Sequence, residues 1–205
     1  DEATAFLAID GHTSDIFSPF AFMTTDHGRT WKSITGDLPP DGPVKVLRED
    51  PRNSDLLYAG TEFGFFASFD RGGHWTKLDN GLPTVAVDDI VVHPKDHDLV
   101  IGTHGRSIYV MDDIRPLQEL TPEVRQSPLH LFSIRPAIEF QLLPEGAVWS
   151  KRIYEAENPP FGAFINYHVR SWTGREVSFE ITDSTGRTVR RLTGPAAPGI
   201  NRVVW

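Results

Sequence analysis

Apolar and polar positions alternate in short runs along most of the chain, and the runs recur. Around the middle of the sequence, Val44-Lys45-Val46-Leu47 and residues 56–60, 65–69 and 74–78 each read as a strand between Asp-, Asn-, Gly- and Pro-containing turns. The next stretch repeats the scheme with Asp89-Ile90-Val91-Val92, residues 99–102 and Ser107-Ile108-Tyr109-Val110-Met111. A strand-like run, Thr4-Ala5-Phe6-Leu7-Ala8-Ile9, stands near the start. Helical periodicity is nearly absent, and Pro122-Glu123-Val124-Arg125 suits one turn at most. Residues 115–150 are punctuated by proline, with Leu129-His130-Leu131-Phe132 and Ile138-Glu139-Phe140-Gln141-Leu142 as strands. Alternation returns over residues 163–169, 177–181, 188–192 and 201–205.

The recurrence has a fixed spacing. Thr24-Thr25-Asp26-His27-Gly28-Arg29-Thr30-Trp31 matches Ser68-Phe69-Asp70-Arg71-Gly72-Gly73-His74-Trp75, and the two tryptophans lie 44 residues apart. Residues 55–61 resemble residues 98–103 in the same way, after Asp50-Pro51 and His93-Pro94. A period of ~40–45 residues with four short strands per unit predicts β-propeller blades. The octet suits a hairpin between a blade's third and outer strands. An aspartate accepts backbone N–H bonds in a tight turn, Gly28 and Gly72 supply positive φ, and Thr24 or Ser68 adds a hydroxyl. Trp31 and Trp75 are each expected to bury a large face between blades. The third unit keeps only Asp112 at the matching offset, which predicts a degenerate closing blade.

These octets resemble the Asp box, the bacterial neuraminidase repeat Ser-x-Asp-x-Gly-x-Thr-Trp. Thr24 replaces Ser in the first copy, and His74 replaces Thr30's counterpart in the second. Together with residues 58–64 and 102–108, they make the first 115 residues similar to large bacterial proteins with sortilin-type or Asp-box propellers, often labelled sialidase-like. The resemblance implies terminal propeller blades, a secreted, periplasmic or cell-surface location, and box aspartates that staple turns rather than catalyse. Residues 163–205 resemble an Ig-like domain of the flagellar hook-capping type, carried by Phe179-Glu180-Ile181-Thr182-Asp183, Gly186-Arg187 and Asn201 to Trp205. The expected fold is therefore all-β: three blades over residues 1–115, a proline-rich connector over 116–150 and a partial Ig-like sandwich over 151–205. The strand-like start and the apolar final residues predict a segment of a longer protein that does not fold autonomously.

Composition narrows the partners. The 205 residues carry 20 Lys+Arg against 28 Asp+Glu, a formal charge of −8, which disfavours a nucleic-acid or anionic-membrane surface. No apolar run is long enough to span a bilayer. Cysteine is absent, which removes disulfides, thiolate metal sites and a cysteine nucleophile. No phosphate loop or dinucleotide fingerprint is present, so no cofactor is expected.

The loops between a blade's second and third strands are the candidate ligand face. They carry Asp10, His12, Glu62, Phe63, His104 and Arg106. Arg106 is a fork donor suited to a carboxylate or sugar, and His12 and His104 with a carboxylate have the chemistry of metal ligands. A solvated rim whose polar groups satisfy one another is the simpler reading, and no metal site is expected. Asp88-Asp89 and Asp112-Asp113 are carboxylate doublets, but strand neighbours point to opposite faces and cannot pair across a cleft. His93 and His97 read as turn residues. No arginine triad or Tyr/Glu nucleophile pair of sialidase type can be placed. The expected function is a non-catalytic binding or scaffold segment, whose partners are the remaining blades of the same protein or another chain, and a glycan. The alternative is part of a glycoside hydrolase with its catalytic residues elsewhere.

Overall fold

The computed structural model describes residues 2–139, 159–171 and 174–205. It shows an all-β architecture of several small antiparallel sheets, divided into two units, 1–121 and 122–205.

The first unit holds three sheets in chain order. Strands β1 (Ala5–Ile9), β2 (Phe20–Thr24) and β3 (Lys32–Ser33) form the first. Strands β4 (Val44–Glu49), β5 (Leu57–Thr61), β6 (Gly64–Ser68) and β7 (Thr76–Lys77) form the second. Strands β8 (Val87–Val92), β9 (Leu99–Thr103) and β10 (Ile108–Met111) form the third. Sequence neighbours pair throughout, as short hairpin connections require.

Register makes the sheets comparable. Leu57 pairs with Ser68 in the second, Ala5 with Thr24 in the first, and Leu99 with Met111 in the third. Thus β1 and β9 are counterparts of β5, and β2 and β10 of β6. The same register puts Asp113, not Asp112, at the box position of the third sheet. Asp113 is buried and bonded at 2.6 Å to Arg115.

Two apolar layers hold the sheets together. Leu47, Leu57, Ala59, Phe66 and Trp75 of the second sheet pack on Ala21, Met23, Ile34 and Leu38. Its opposite face, with Val46, Tyr58, Phe65 and Ala67, packs on Val87, Ile90, Leu99 and Ile101. The period-2 alternation of each strand thus feeds both layers, and β5 and β6 are buried along their whole length.

The chain leaves the third sheet through a four-residue helix, α1 (Arg115–Gln118), that the sequence reading omits. It is too short for a helical period, and a buried polar network fixes it. The Gln118 amide donates to both Asp50 carboxylate oxygens at 3.1 and 2.9 Å, and the Tyr58 hydroxyl donates to Asp50 Oδ2 at 3.0 Å. Buried His97 lies 2.5 Å from Gln118 Oε1. Burial, with the Asp50 charge, pushes the Tyr58 phenol far above its ordinary range.

The second unit begins with α2 (Pro122–Gln126), slightly longer than the single turn expected. Its strands are β11 (Leu129–Leu131), β12 (Phe164–Val169), β13 (Val177–Thr182), β14 (Thr188–Gly194) and β15 (Gly199–Val204). They form a β11-β12-β15 sheet and a β13-β14 hairpin. Strand β12 is buried on both faces. Tyr167 packs edge-on against Phe179 at 4.9 Å and donates to the Pro195 carbonyl at 2.6 Å. Of the run expected over 138–142, Ile138 and Glu139 belong to no strand, and Phe140, Gln141 and Leu142 lie outside the described residues.

Candidate functional site

The two octets fold into the same turn. Asp26 Oδ1 accepts the Thr24 hydroxyl at 2.8 Å and the Thr30 amide at 2.9 Å, and Oδ2 accepts the Thr30 hydroxyl at 2.6 Å. Thr24 Oγ1 accepts the Gly28 amide at 3.0 Å. These bonds, the Thr30 hydroxyl first, hold the Asp26 carboxyl down to about 2. In the second copy Asp70 Oδ1 accepts the Ser68 hydroxyl at 2.8 Å and the His74 amide at 2.9 Å. His74 Nδ1 stands 2.6 Å from Asp70 Oδ2 in the role of the threonine hydroxyl, and that carboxylate raises the His74 pKa. Both carboxylate oxygens of each aspartate bond within the turn and hold it closed.

The tryptophans differ. Trp75 is 7 % exposed, and its indole N–H donates to the Ile34 carbonyl at 2.9 Å. Its amide donates to Asp37 Oδ1 at 2.6 Å. The segment after β3 therefore clasps the turn of the next sheet. Gly36 adopts φ +55°, and a Cβ there would meet the Gly73 carbonyl at 2.7 Å. Trp31 is 44 % exposed, against the expectation of burial. The residues that cover Trp75 come from the preceding sheet, and among the described residues no such segment lies over Trp31.

The candidate ligand face assembles around a residue the sequence reading did not select. Lys45 Nζ lies 3.0 Å from Glu62 Oε2, 3.7 Å from Asp10 Oδ2 and 3.9 Å from Asp88 Oδ1. The three carboxylates come from the β1–β2 loop, the β5–β6 turn and β8, one from each sheet. His12 Nδ1 is 2.7 Å from Asp10 Oδ1, and His104 Nδ1 is 3.3 Å from Asp88 Oδ2. Asp10, His12, Glu62 and His104 are thus brought together, with Lys45 and Asp88 as the connecting pair.

Those two occupy the same place in successive sheets. Register slips between Val44 and Val46 against β5, and between Val87 and Asp89 against β9. Each slip is a β-bulge that re-aims the extra residue, here Lys45 and Asp88. Asp89, next along β8, turns the other way to Arg48, 2.8 Å distant.

Charge decides what this rim favours. Hydrogen bonds from the His12 backbone and ring, with the nearby Lys45 charge, outweigh burial and hold the Asp10 carboxyl below the usual carboxylate range. Burial pulls Lys45 down, but the Glu62 hydrogen bond and the three negative charges outweigh it and hold its pKa above normal. Three carboxylates around one ammonium make this cluster rich in acceptors. Arg106, the intended fork donor, is exposed and bonds to none of these groups. Phe63 stands 47 % exposed at the β5–β6 turn beside Gly42. Among the described residues no group of three or more His, Asp or Glu is arranged to hold a metal ion. No helix among them is long and apolar enough to cross a membrane.

No family model matches the chain, and no curated protein does. Among solved structures it is similar to YCF48 bound to D1 peptide, at 14% identity and TM-score 0.34, over 85% of this chain and 48% of that one. It is also similar to an ancestral GH74 enzyme, at 14% identity and TM-score 0.40, over 93% of this chain and 25% of that one. The chain therefore spans about half of the first structure and a quarter of the second. Neither likeness bears on its chemistry.

Proposed function

We propose that the three sheets of the first unit are consecutive blades of an Asp-box β-propeller, that the second unit is part of an Ig-like sandwich, and that the chain is a non-catalytic binding or scaffold segment of a secreted or cell-envelope propeller assembly. One observation carries this reading. Equivalent loops of the first two sheets deliver Asp10 and Glu62, and strand β8 of the third delivers Asp88, to one end, where Lys45 joins them at 3.0 to 3.9 Å. That geometry builds a rim of fixed acceptors. Hydrolysis of a glycoside needs one carboxyl held protonated opposite a second across open space, and an ammonium among the acids works against that.

The rim, with Phe63 beside it, suits the hydroxyls of a glycan or the basic side chains of a polypeptide. The test is to incubate the chain with a panel of fluorogenic sialosides and β-glycosides, and to measure binding of neutral oligosaccharides and a lysine-rich peptide by calorimetry. The reading expects no turnover, and binding of at least one probe that Glu62→Gln with Asp88→Asn weakens at least tenfold. Turnover abolished by Glu62→Gln would replace it with the glycoside-hydrolase alternative.

A further inference from the structure

We propose that Asn80 is a site of spontaneous covalent modification, at which the Gly81 backbone nitrogen closes on the Asn80 side chain, ammonia leaves, and the asparagine becomes aspartate or isoaspartate. The inference concerns the turn between β7 and β8 and is independent of what the rim binds.

The sequence selects the position. Of Asn53, Asn80, Asn158, Asn166 and Asn201, only Asn80 precedes a glycine. A following side chain shields the backbone nitrogen that must attack, and Gly81 has none. Asn158 precedes Pro159, which has no N–H to lose. The structure separates the others. The Asn53 amide donates to the Gln118 carbonyl at 2.9 Å, and its Oδ1 accepts the Asp55 amide at 3.0 Å. Asn166 is buried, and the Asn201 amide donates to the Ala197 carbonyl at 2.7 Å. Asn80 and Gly81 are both exposed. Among the described residues, neither the Asn80 side chain nor the Gly81 amide has a hydrogen-bond partner.

The turn is also free to open. The Leu82 amide donates to the Asp79 carbonyl at 3.1 Å, Gly81 has φ +82°, and Asn80 lies outside the positive-φ region. This is a type II turn with Asn80 and Gly81 at its centre. Attack requires the peptide between them to rotate, which one hydrogen bond opposes and which Gly81 tolerates at either sign of φ. The matching loop of the preceding repeat is held. Leu38, 44 residues before Leu82, donates likewise to the Thr35 carbonyl at 3.1 Å. There Asp37 Oδ1 accepts the Trp75 amide at 2.6 Å, and a Cβ at Gly36 would meet the Gly73 carbonyl at 2.7 Å. The third sheet offers no such tryptophan, and a Cβ at Gly81 would meet nothing within 4 Å.

The chemistry needs only water. The Gly81 nitrogen gives up its proton to solvent and bonds to Asn80 Cγ. The Cγ–Nδ2 bond breaks, and Nδ2 takes up a proton from solvent and leaves as ammonia. Water then opens the ring. Breaking the new Cγ–N bond leaves aspartate. Breaking the original peptide bond leaves isoaspartate, with the main chain running through Cβ and Cγ. The added main-chain atom falls beside Leu82, which packs on the second apolar layer.

The test incubates the full chain in mildly alkaline buffer and, in parallel, in denaturing urea. The tryptic fragment 78–95 holds Asn80 as its one asparagine, and mass spectrometry reads the amide-to-acid gain on it. Asn80 is expected to convert in buffer within a few-fold of its rate in urea. Asn53, Asn166 and Asn201 are expected to convert in buffer at least ~tenfold more slowly than Asn80, because each must first open locally. Gly81→Ala, whose Cβ enters open space, is expected to slow the Asn80 conversion several-fold. Conversion of Asn80 in urea alone, conversion of the other three in buffer as fast as Asn80, or an unchanged rate in Gly81→Ala would overturn the proposal.

Discussion

Trp31 and Trp75 close the same turn in successive sheets, and the structure predicts that they differ several-fold in what they contribute to stability. Trp75 is 7 % exposed, packed between two sheets, and bonded through its indole to the Ile34 carbonyl at 2.9 Å. A buried tryptophan removes about 200 Å² from water, worth about 5 kcal/mol as an upper bound at ~25 cal/mol per Å². Trp75→Ala also opens a cavity and strips a carbonyl of its donor, so a loss of about 3–5 kcal/mol is expected. Trp75→Phe keeps much of the packing and loses the donor, for about 1–3 kcal/mol. Trp31 is 44 % exposed and lies over its own turn, where a Cβ added at Gly28 would meet its ring at 3.8 Å. Trp31→Ala should therefore cost about 1 kcal/mol or less. The assay is urea unfolding followed by far-UV circular dichroism. Equal losses for the two alanine variants, or a Trp75→Ala loss under about 1 kcal/mol, would refute the idea that the clasp at Ile34–Leu38 joins the first two sheets.

Three further outcomes are expected. Gly28 and Gly72 share positive φ, +81° and +85°, but a Cβ at Gly72 would meet Ile34 Cβ at 2.6 Å while one at Gly28 meets nothing closer than 3.8 Å. Gly72→Ala should lower the urea midpoint about twice as far as Gly28→Ala, which pays only the backbone strain of about 1 kcal/mol. Lys45→Met removes the cation shared by three partly exposed carboxylates. Because the Asp10 pKa is lowered, its contribution is present above the ordinary carboxylate value of 3.8 and lost as pH falls through its folded value. Because the Lys45 pKa is raised, its own contribution holds below 10.5 and is lost as pH rises through its folded value. The variant should thus lose about 1 kcal/mol at pH 7, discounted for solvent screening, and almost nothing near pH 2, as read by paired urea melts. His168 is buried with Nδ1 unbonded, and burial, with the His130 and Arg125 charges, lowers its pKa from 6.5. Its neutral form is the folded one, so the second unit should lose stability as pH falls from 6.5 toward the lowered value, and His168→Phe should flatten that slope in thermal melts between pH 7 and 5.

The strands were legible because two signals agree on them. Period-2 alternation marks each run, and the spacing between the two repeated octets ties the runs into comparable units. The turns were legible for a local reason: Asp26 and Asp70 bond only to residues within four positions of themselves. Trp31 was misread because burial depends on a neighbouring sheet, and two similar octets carry no information about their neighbours. Asp112 was chosen over Asp113 by offset alone, and the pairing of Leu99 with Met111 settles the register. Lys45 and Asp88 escaped because a bulge breaks the alternation that sequence reading depends on. Pro43-Val44-Lys45-Val46 and Ala86-Val87-Asp88-Asp89 do correspond in the repeat, and a polar residue at the same place in both was the available signal. The buried Asp50–Gln118 bonds join residues 68 positions apart, and no local pattern reports them.

Lys45 also bears on why acidic residues at this rim do not amount to an acid–base pair. At 3.0 Å from Glu62 and 3.7 Å from Asp10, its ammonium joins the His12 hydrogen bonds in holding the Asp10 carboxyl below the usual carboxylate range. At an effective dielectric of about 20, a unit pair near 4 Å interacts by about 4 kcal/mol before desolvation is counted. A general acid needs the opposite field, one that keeps a carboxyl protonated near neutral pH, and Asp10 is moved away from that condition. The same field suits recognition. A carboxylate kept ionised and held in place by a partner accepts a hydrogen bond without first losing a proton, and it spends little conformational entropy in doing so. The bulges at Lys45 and Asp88 supply that fixed geometry from β4 and β8, while Asp10, Glu62 and His104 arrive on loops. An arrangement in which one sheet supplies the cation and all three supply the anions also makes the rim depend on the sheets staying stacked. Loss of the Trp75 clasp should therefore weaken any ligand held there, although Trp75 sits in the octet turn rather than in the rim.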